Sequence, residues 1–217
     1  MTPLREREIH LWSASLDGDA EALLPLLSED ERVRACRFRF ERDRHRFIAA
    51  RGWLRVLLGQ YLQTEGGGLR FGYGPKGKPY VDGGLHFNLA HSGGVALFAF
   101  CAGEEVGVDL ESIREIDDAE AIVRRYFAPA EIERWIAAPP PLRTRTFFEC
   151  WTRMEAIGKA LGDGLAAAPS SSEHWSLFDV RPSPSFAATL AVRGGGWSVR
   201  SMGQCERAVP GSEGNRR

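Results

Sequence analysis

Three acidic side chains, a lysine and a histidine have the spacing that chemistry would need. Asp109 and Glu111 stand two apart in Val106-Gly107-Val108-Asp109-Leu110-Glu111. Side chains alternate along an extended strand, so both carboxylates leave one face while Val108 and Leu110 leave the other. Two carboxylates so close repel unless exposed, protonated or bridged by a cation. Hard oxygen donors, few in number, suit Mg²⁺ held partly by a substrate's phosphates. A strand that stops at Leu110 would instead leave Glu111 in solvent. Glu155 and Lys159 are four apart and share a helix face, which a surface salt bridge also explains. His91 precedes Ser92-Gly93-Gly94, whose hydroxyl and backbone donors suit an anion. A histidine there can equally be a core or cap residue.

Strands and helices must hold these groups together. Val95–Phe100 reads as a buried strand, Gly103-Glu104-Glu105 as a hairpin turn and Val106–Glu111 as the strand it leads into. Ahead of them, Leu69–Tyr73 runs into the basic turn Gly74-Pro75-Lys76-Gly77-Lys78-Pro79. Ser28 and Glu31 form a capping box, and Phe47, Ala50, Leu54, Leu57 and Tyr61 repeat at helical spacing. Between Arg34 and Arg55 lie eight Arg against Glu41 and Asp43. Arg44, Arg51 and Arg55 fall off the apolar stripe, as a solvated face requires. Helices are expected at 117–127, 129–138 and 143–161, the second opened by Pro129 and the third closed by Gly162-Asp163-Gly164. After the Ala/Pro/Ser loop 166–173, short strands fit 175–180, 186–192 and 197–200, with a frayed tail from Gly203. The pattern is α+β, with two halves at 1–112 and 113–217.

Composition excludes several classes. The 217 residues are 43% hydrophobic and 10% aromatic, enough for a buried core, and carry a net charge of −1. A bulk polycation is excluded, so a nucleic-acid module would rest on Arg34–Arg55 alone. The longest apolar run, Val95–Ala102, has strand length, which predicts no membrane span, and the charged N-terminus does not read as a signal peptide. Cys36, Cys101, Cys150 and Cys205 share no C-x-x-C spacing, which points to a reducing cytoplasm and no zinc site. No Walker A, Rossmann G-x-G-x-x-G or G-x-S-x-G motif is present.

In order, Phe87-Asn88-Leu89-Ala90-His91-Ser92, Gly107-Val108-Asp109-Leu110-Glu111, Phe127-Ala128-Pro129-Ala130-Glu131 and Phe148-Glu149-Cys150-Trp151-Thr152-Arg153-Met154-Glu155-Ala156-Ile157-Gly158-Lys159 continue to Leu165. This set resembles the 4'-phosphopantetheinyl transferases of the larger, surfactin-synthetase-activating (Sfp-like) type, from about Glu31 to Leu165. The resemblance implies two similar α+β halves related by a pseudo-twofold, working as a monomer, with the active site in the cleft between them. It implies transfer of the phosphopantetheine arm of coenzyme A to a serine of an apo acyl or peptidyl carrier protein, releasing adenosine 3',5'-bisphosphate. No nucleic-acid or membrane partner is expected.

Residue by residue, the resemblance makes Asp109, Glu111 and Glu155 the Mg²⁺ ligands. His91 becomes a coenzyme A phosphate contact, and Lys159 neutralises the pyrophosphate. Arg46, Lys78 and Arg51 would hold the 3'-phosphate or its neighbours, and Glu131 would be a general base acting directly or through water. Two positions depart from the family pattern: Ala90 replaces Ser before the histidine, and Met154 replaces Lys before the glutamate. Weaker coenzyme A binding or altered geometry is the expectation. The alternative is an impaired relative that binds carrier proteins or coenzyme A without transfer.

Overall fold

A computed structural model describes residues 2–162 and 174–205. The expected loop at 166–173 and the tail beyond 205 lie outside the described residues. The fold is α+β. Strands β1 (Glu8–Ser15), β4 (Leu85–Ser92), β5 (Val95–Ala102) and β9 (Ser198–Gln204) form a sheet in the order β4-β5-β1-β9. A second sheet runs β6-β8-β7, from β6 (Val106–Ser112), β8 (Phe186–Arg193) and β7 (Trp175–Val180). The small hairpin β2–β3 (Gly72–Tyr73, Pro79–Tyr80) carries the basic turn. Helices α1 (Glu29–Ala35) and α2 (Glu41–Leu62) precede that hairpin, while α3 (Ala119–Tyr126), α4 (Pro129–Ala137) and α5 (Arg143–Leu161) follow β6.

Strand alternation sorts the side chains into layers. One face of the first sheet gives Ile9, Leu11, Ala90, Leu97, Ala99 and Cys101 to a core shared with Val106, Val108, Leu110, Ala188, Leu190 and Val192 of the second. The opposite face of the first sheet, with Phe87, Phe98 and Phe100, packs on Ile48, Leu54, Leu57 and Leu58 of α2. The second sheet's outer face receives α5, where Ala156 and Ile157 meet Ala191. Each fully buried Leu, Ile or Phe contributes about 1.5–3 kcal/mol relative to its exposed state.

Four features differ from the sequence reading. The segment 103–105 is not a hairpin: β5 pairs with β4 and β1, whereas β6 pairs with β8. Strand β1 was not anticipated, because a central strand covered on both faces shows no polar–apolar alternation. Its buried polar residues, His10 and Glu8, find partners instead: Nδ1 of His10 meets Tyr61 Oη at 2.8 Å, and Glu8 accepts from Arg200 at 2.8 Å. The last expected strand runs on through Gly203 to Gln204 and lies parallel to β1. Finally, the arginine face is not all solvated, since Arg55 is 1% exposed. Both sheet crossings span the expected division after Ser112: β6, before it, pairs with β8, and β9, after it, pairs with β1.

Gly107 sets how closely α5 approaches β6. A Cβ built on it would lie 1.9 Å from the Ala156 carbonyl oxygen and 2.6 Å from the Ala160 nitrogen. Both are backbone atoms that no rotamer change can move. Gly107→Ala is therefore expected to push α5 off the sheet and cost about 2–3 kcal/mol. In a thermal melt this reads as a fall of about 5–10 °C; an unchanged midpoint would show that the helix shifts freely.

Candidate active site

Asp109 and Glu111 leave the face of β6 that carries Gly107, so the close approach of α5 brings Glu155 and Lys159 onto them. Asp109 is 5% exposed and accepts a hydrogen bond from Lys159 Nζ at 2.6 Å. Lys159 thus pairs with a different element rather than lying along its own helix with Glu155. Glu111 is partly open, accepting from Ser92 Oγ at 3.4 Å and pairing with Arg114 at 3.3 Å. Burial pushes the Asp109 carboxyl above its ordinary range; Lys159 opposes this and Glu111 adds to it. Burial also pushes Glu155 upward, with Asp109 adding to the effect, Lys159 opposing it and Glu111 adding a little more. Asp109 and Glu155, both resisting ionisation, stand with the Glu111 carboxylate beside one ammonium, a site short of positive charge.

That shortage bears on a metal. The buried Oδ2 of Asp109 has no hydrogen-bond partner. Three carboxylates from two packed elements are the hard donors that Mg²⁺ takes, so the donor set fits. The cage is not preassembled: among the described residues no group of three or more His, Cys, Asp or Glu is gathered closely enough to hold an ion.

The strands β4 and β6 are stitched by side chains rather than by a ladder. Asn88 Oδ1 accepts the Val108 N–H at 2.9 Å, and Ser92 Oγ accepts the Ser112 N–H at 3.0 Å. Both spans are four residues, so the seam is in register. Midway, position 90 is alanine and offers no acceptor. Sequence alone offers the Ser92 hydroxyl to an anion and Asn88 only as part of a motif; in the structure both side chains accept backbone N–H groups of β6. A buried Asn in a strand, needing partners, was the signal that could have found the seam.

His91 points to the opposite face from Ala90 and opens to solvent. Desolvation lowers its pKa, and the Lys159 and Arg46 cations lower it further, so it is held neutral more firmly than a free histidine. Arg46 donates from Nε and Nη2 to Asp17 at 2.6 and 3.0 Å, beside Gly94 of the β4–β5 turn. Arg46, His91, Lys159 and the carboxylates therefore lie within electrostatic reach of one another.

The other expected residues are placed differently. Arg51 and Arg55 both clamp the buried Glu31, stacked over Phe71 with guanidinium-to-centroid distances of 4.5 and 5.0 Å. Lys78 bonds Glu105 and the carbonyls of Val106 and Ala160. Glu131 pairs with Arg134 at 3.6 Å and Arg153 at 3.5 Å. Two residues turn a helix by about 200°, so Arg153 leaves α5 nearly opposite Glu155. The structure does not bring Glu131 to the three acids.

Two family models match the chain, one described as 4'-phosphopantetheinyl transferase, N-terminal, over residues 10–103, the other as the 4'-phosphopantetheinyl transferase superfamily over 105–202. The 4'-phosphopantetheinyl transferase HetI of Nostoc sp. (strain PCC 7120) is 39% identical over 215 residues, covering 89% of this chain and 91% of the relative. The chain belongs to the 4'-phosphopantetheinyl transferase superfamily. The enzyme psf-1 of Bacillus pumilus is 32% identical over 79% of this chain and 71% of its own, and Sfp of Bacillus subtilis (strain 168) 27% over 67% and 65%. The protein is thus an enzyme that transfers a phosphopantetheine group, and the family models meet just ahead of β6. In this transferase Met154 is partly buried against the apolar cluster of Val123, Phe127 and Phe148. Among the described residues no helix is long and apolar enough to cross a membrane.

Proposed function

We propose that the transferase moves the phosphopantetheine arm of coenzyme A onto a serine hydroxyl of an apo acyl or peptidyl carrier protein. The serine hydroxyl gives its proton to water as its oxygen forms a bond to the pantetheine-side phosphorus. The bond from that phosphorus to the bridging oxygen breaks, and adenosine 3',5'-bisphosphate leaves. What carries the reading is that β6 and α5 place Asp109, Glu111 and Glu155 within electrostatic reach of one another beside Lys159, in a family named for this transfer.

Asp109, Glu111 and Glu155 would hold Mg²⁺. Bound there, the ion supplies positive charge against the pyrophosphate oxygens. Lys159, held against Asp109, would add positive charge at the phosphorus under attack. His91 and Arg46 orient the phosphates of the nucleotide end; the bidentate grip of Asp17 on Arg46 fixes the guanidinium plane. Arg51, committed to Glu31, contributes only by holding α1 against α2. A base role for Glu131 requires a water relay, because its carboxylate lies between Arg134 and Arg153 on α4 and α5 rather than with the three acids. The remaining Arg side chains suit the acidic surface of a carrier protein through steering. A cytoplasmic monomer is the form in which we expect it to act.

The test is to incubate the protein with Mg²⁺, coenzyme A and several apo carrier proteins and to read intact carrier masses, with an EDTA control. A metal-dependent gain of one phosphopantetheine arm is the expected result. Coenzyme A binding without any gain on competent carriers would establish instead the impaired relative.

The two departures separate in kinetics. Ala90→Ser places a hydroxyl at the middle of the seam, between the Asn88 and Ser92 bonds, and is expected to lower the KM for coenzyme A. Met154→Lys drives an ammonium into an apolar cluster. It is expected to leave KM unchanged and to lower the melting temperature. A KM gain from Met154→Lys alone would reverse this assignment.

A further inference from the structure

We infer that Lys78 is a positioning residue that clamps α5 to β6, and not a contact to the substrate's phosphate. The inference rests on the transfer reading above. A lysine ammonium has three N–H donors and no acceptor. All three have protein oxygens to receive them: Glu105 Oε2, the Val106 carbonyl at 3.2 Å and the Ala160 carbonyl at 3.1 Å. The side chain is 16% exposed. A phosphate would have to break one of these bonds.

The three oxygens belong to the two elements that build the site. Val106 opens β6, three residues before Asp109. Ala160 follows Lys159 in the last turn of α5, where helix carbonyls have no partner within the helix and the helix end is electronegative. The helix stops at Gly162, in the left-handed region at φ 71°, and the aliphatic stem of Lys78 passes 3.7 Å from where its Cβ would be. A cation thus caps α5 while tying it to the start of β6. Glu105 completes the clasp: its second oxygen meets His86 Nδ1 at 3.0 Å, anchoring the ion pair to β4. With Gly107 permitting the approach and Lys78 holding it, the reach of Lys159 to Asp109 is set from outside the site.

The experiment compares Lys78→Met and Glu105→Gln with the parent, using coenzyme A and 3'-dephospho-coenzyme A as donors. Hydrogen exchange is followed at the backbone amides of the last turn of α5. A clamp predicts that Lys78→Met lowers kcat by about tenfold, the scale of a sub-ångström misplacement, with KM for coenzyme A changed less than about twofold. The factor is the same with either donor. Glu105→Gln, which touches no phosphate in any reading, moves kcat the same way by a smaller factor, and both variants exchange faster at the end of α5. The inference is overturned if Lys78→Met raises KM for coenzyme A with kcat intact and the penalty vanishes with the dephospho donor. Unchanged exchange at the end of α5 in both variants would also overturn it. If the parent itself transfers nothing from coenzyme A, the functional reading fails, while the exchange measurement still decides the clamp.

Discussion

Glu155→Gln is expected to abolish transfer while leaving the metal-free protein as stable as the parent or more so. The loss should reach about a thousandfold in kcat, since charge stabilisation by a bound ion is worth several kcal/mol and each 1.36 kcal/mol is a factor of ten. The stability gain follows from the sign of the shift. Burial and Asp109 raise the Glu155 pKa in the folded protein, so above that value ionisation favours the unfolded chain. Glutamine keeps the shape and removes the charge, so the variant gains on the parent at neutral pH. As pH falls through the raised pKa the parent's acid is protonated as well, and the difference closes. Melting both proteins with EDTA from neutral to acid pH checks this, alongside the carrier mass assay. Transfer within threefold of the parent would sink the ligand assignment. A large fall in melting temperature would show that Glu155 supports the fold.

The second large effect is on stability and lies outside the site. Glu31 is 2% exposed and accepts from Arg55 Nε at 2.7 Å, Arg51 Nε at 2.6 Å and the Ser28 N–H at 3.0 Å. Arg55 also donates to the Gly66 and Leu69 carbonyls at 2.9 and 3.0 Å, so one ionic knot ties α1, α2 and the segment leading to β2. Glu31→Gln leaves the buried Arg55 guanidinium and the largely covered Arg51 guanidinium without a countercharge. Breaking one side of a buried pair costs about 3–5 kcal/mol, and a fall of about 10 °C in melting temperature follows. The pH dependence is opposite to that of Glu155. Burial opposes the Glu31 charge, but Arg51 and Arg55 overcome it and the pKa is lowered in the folded state. Its stabilisation is complete above the ordinary glutamate value and is lost as pH falls through the folded one, so the deficit of Glu31→Gln shrinks in acid. A melting temperature within 2 °C of the parent at neutral pH would refute the knot.

The site was legible wherever its geometry is local. Two-residue spacing in β6 set Asp109 and Glu111 on one face, and four-residue spacing in α5 set Glu155 beside Lys159. The ordered motifs then pointed to the family. The partner of Lys159 was not legible. Whether it turns along its own helix or across to β6 depends on a helix–strand approach that Gly107 permits and no periodicity encodes. Arg51 and Lys78 show the same limit. An arginine off an apolar stripe and a lysine in a glycine-rich turn both look solvated and free for a phosphate, until a second element supplies Glu31 or the Ala160 carbonyl.

The amino-acid sequence by itself determined the helices α2 to α5, the strands β5 to β8, the carboxylate faces and the family resemblance, because these rest on steric and hydrophobic periodicities within a few residues; β4, which carries His91, was not among them. Only the tertiary structure decided that β6 leaves β5 to pair with β8, that β9 returns to β1 and that Glu31 collects two arginines. It alone brought Asp109 to Lys159 across 50 residues of chain. Those outcomes depend on which buried donors and acceptors find one another once the layers close, and that matching is a property of the packed chain as a whole.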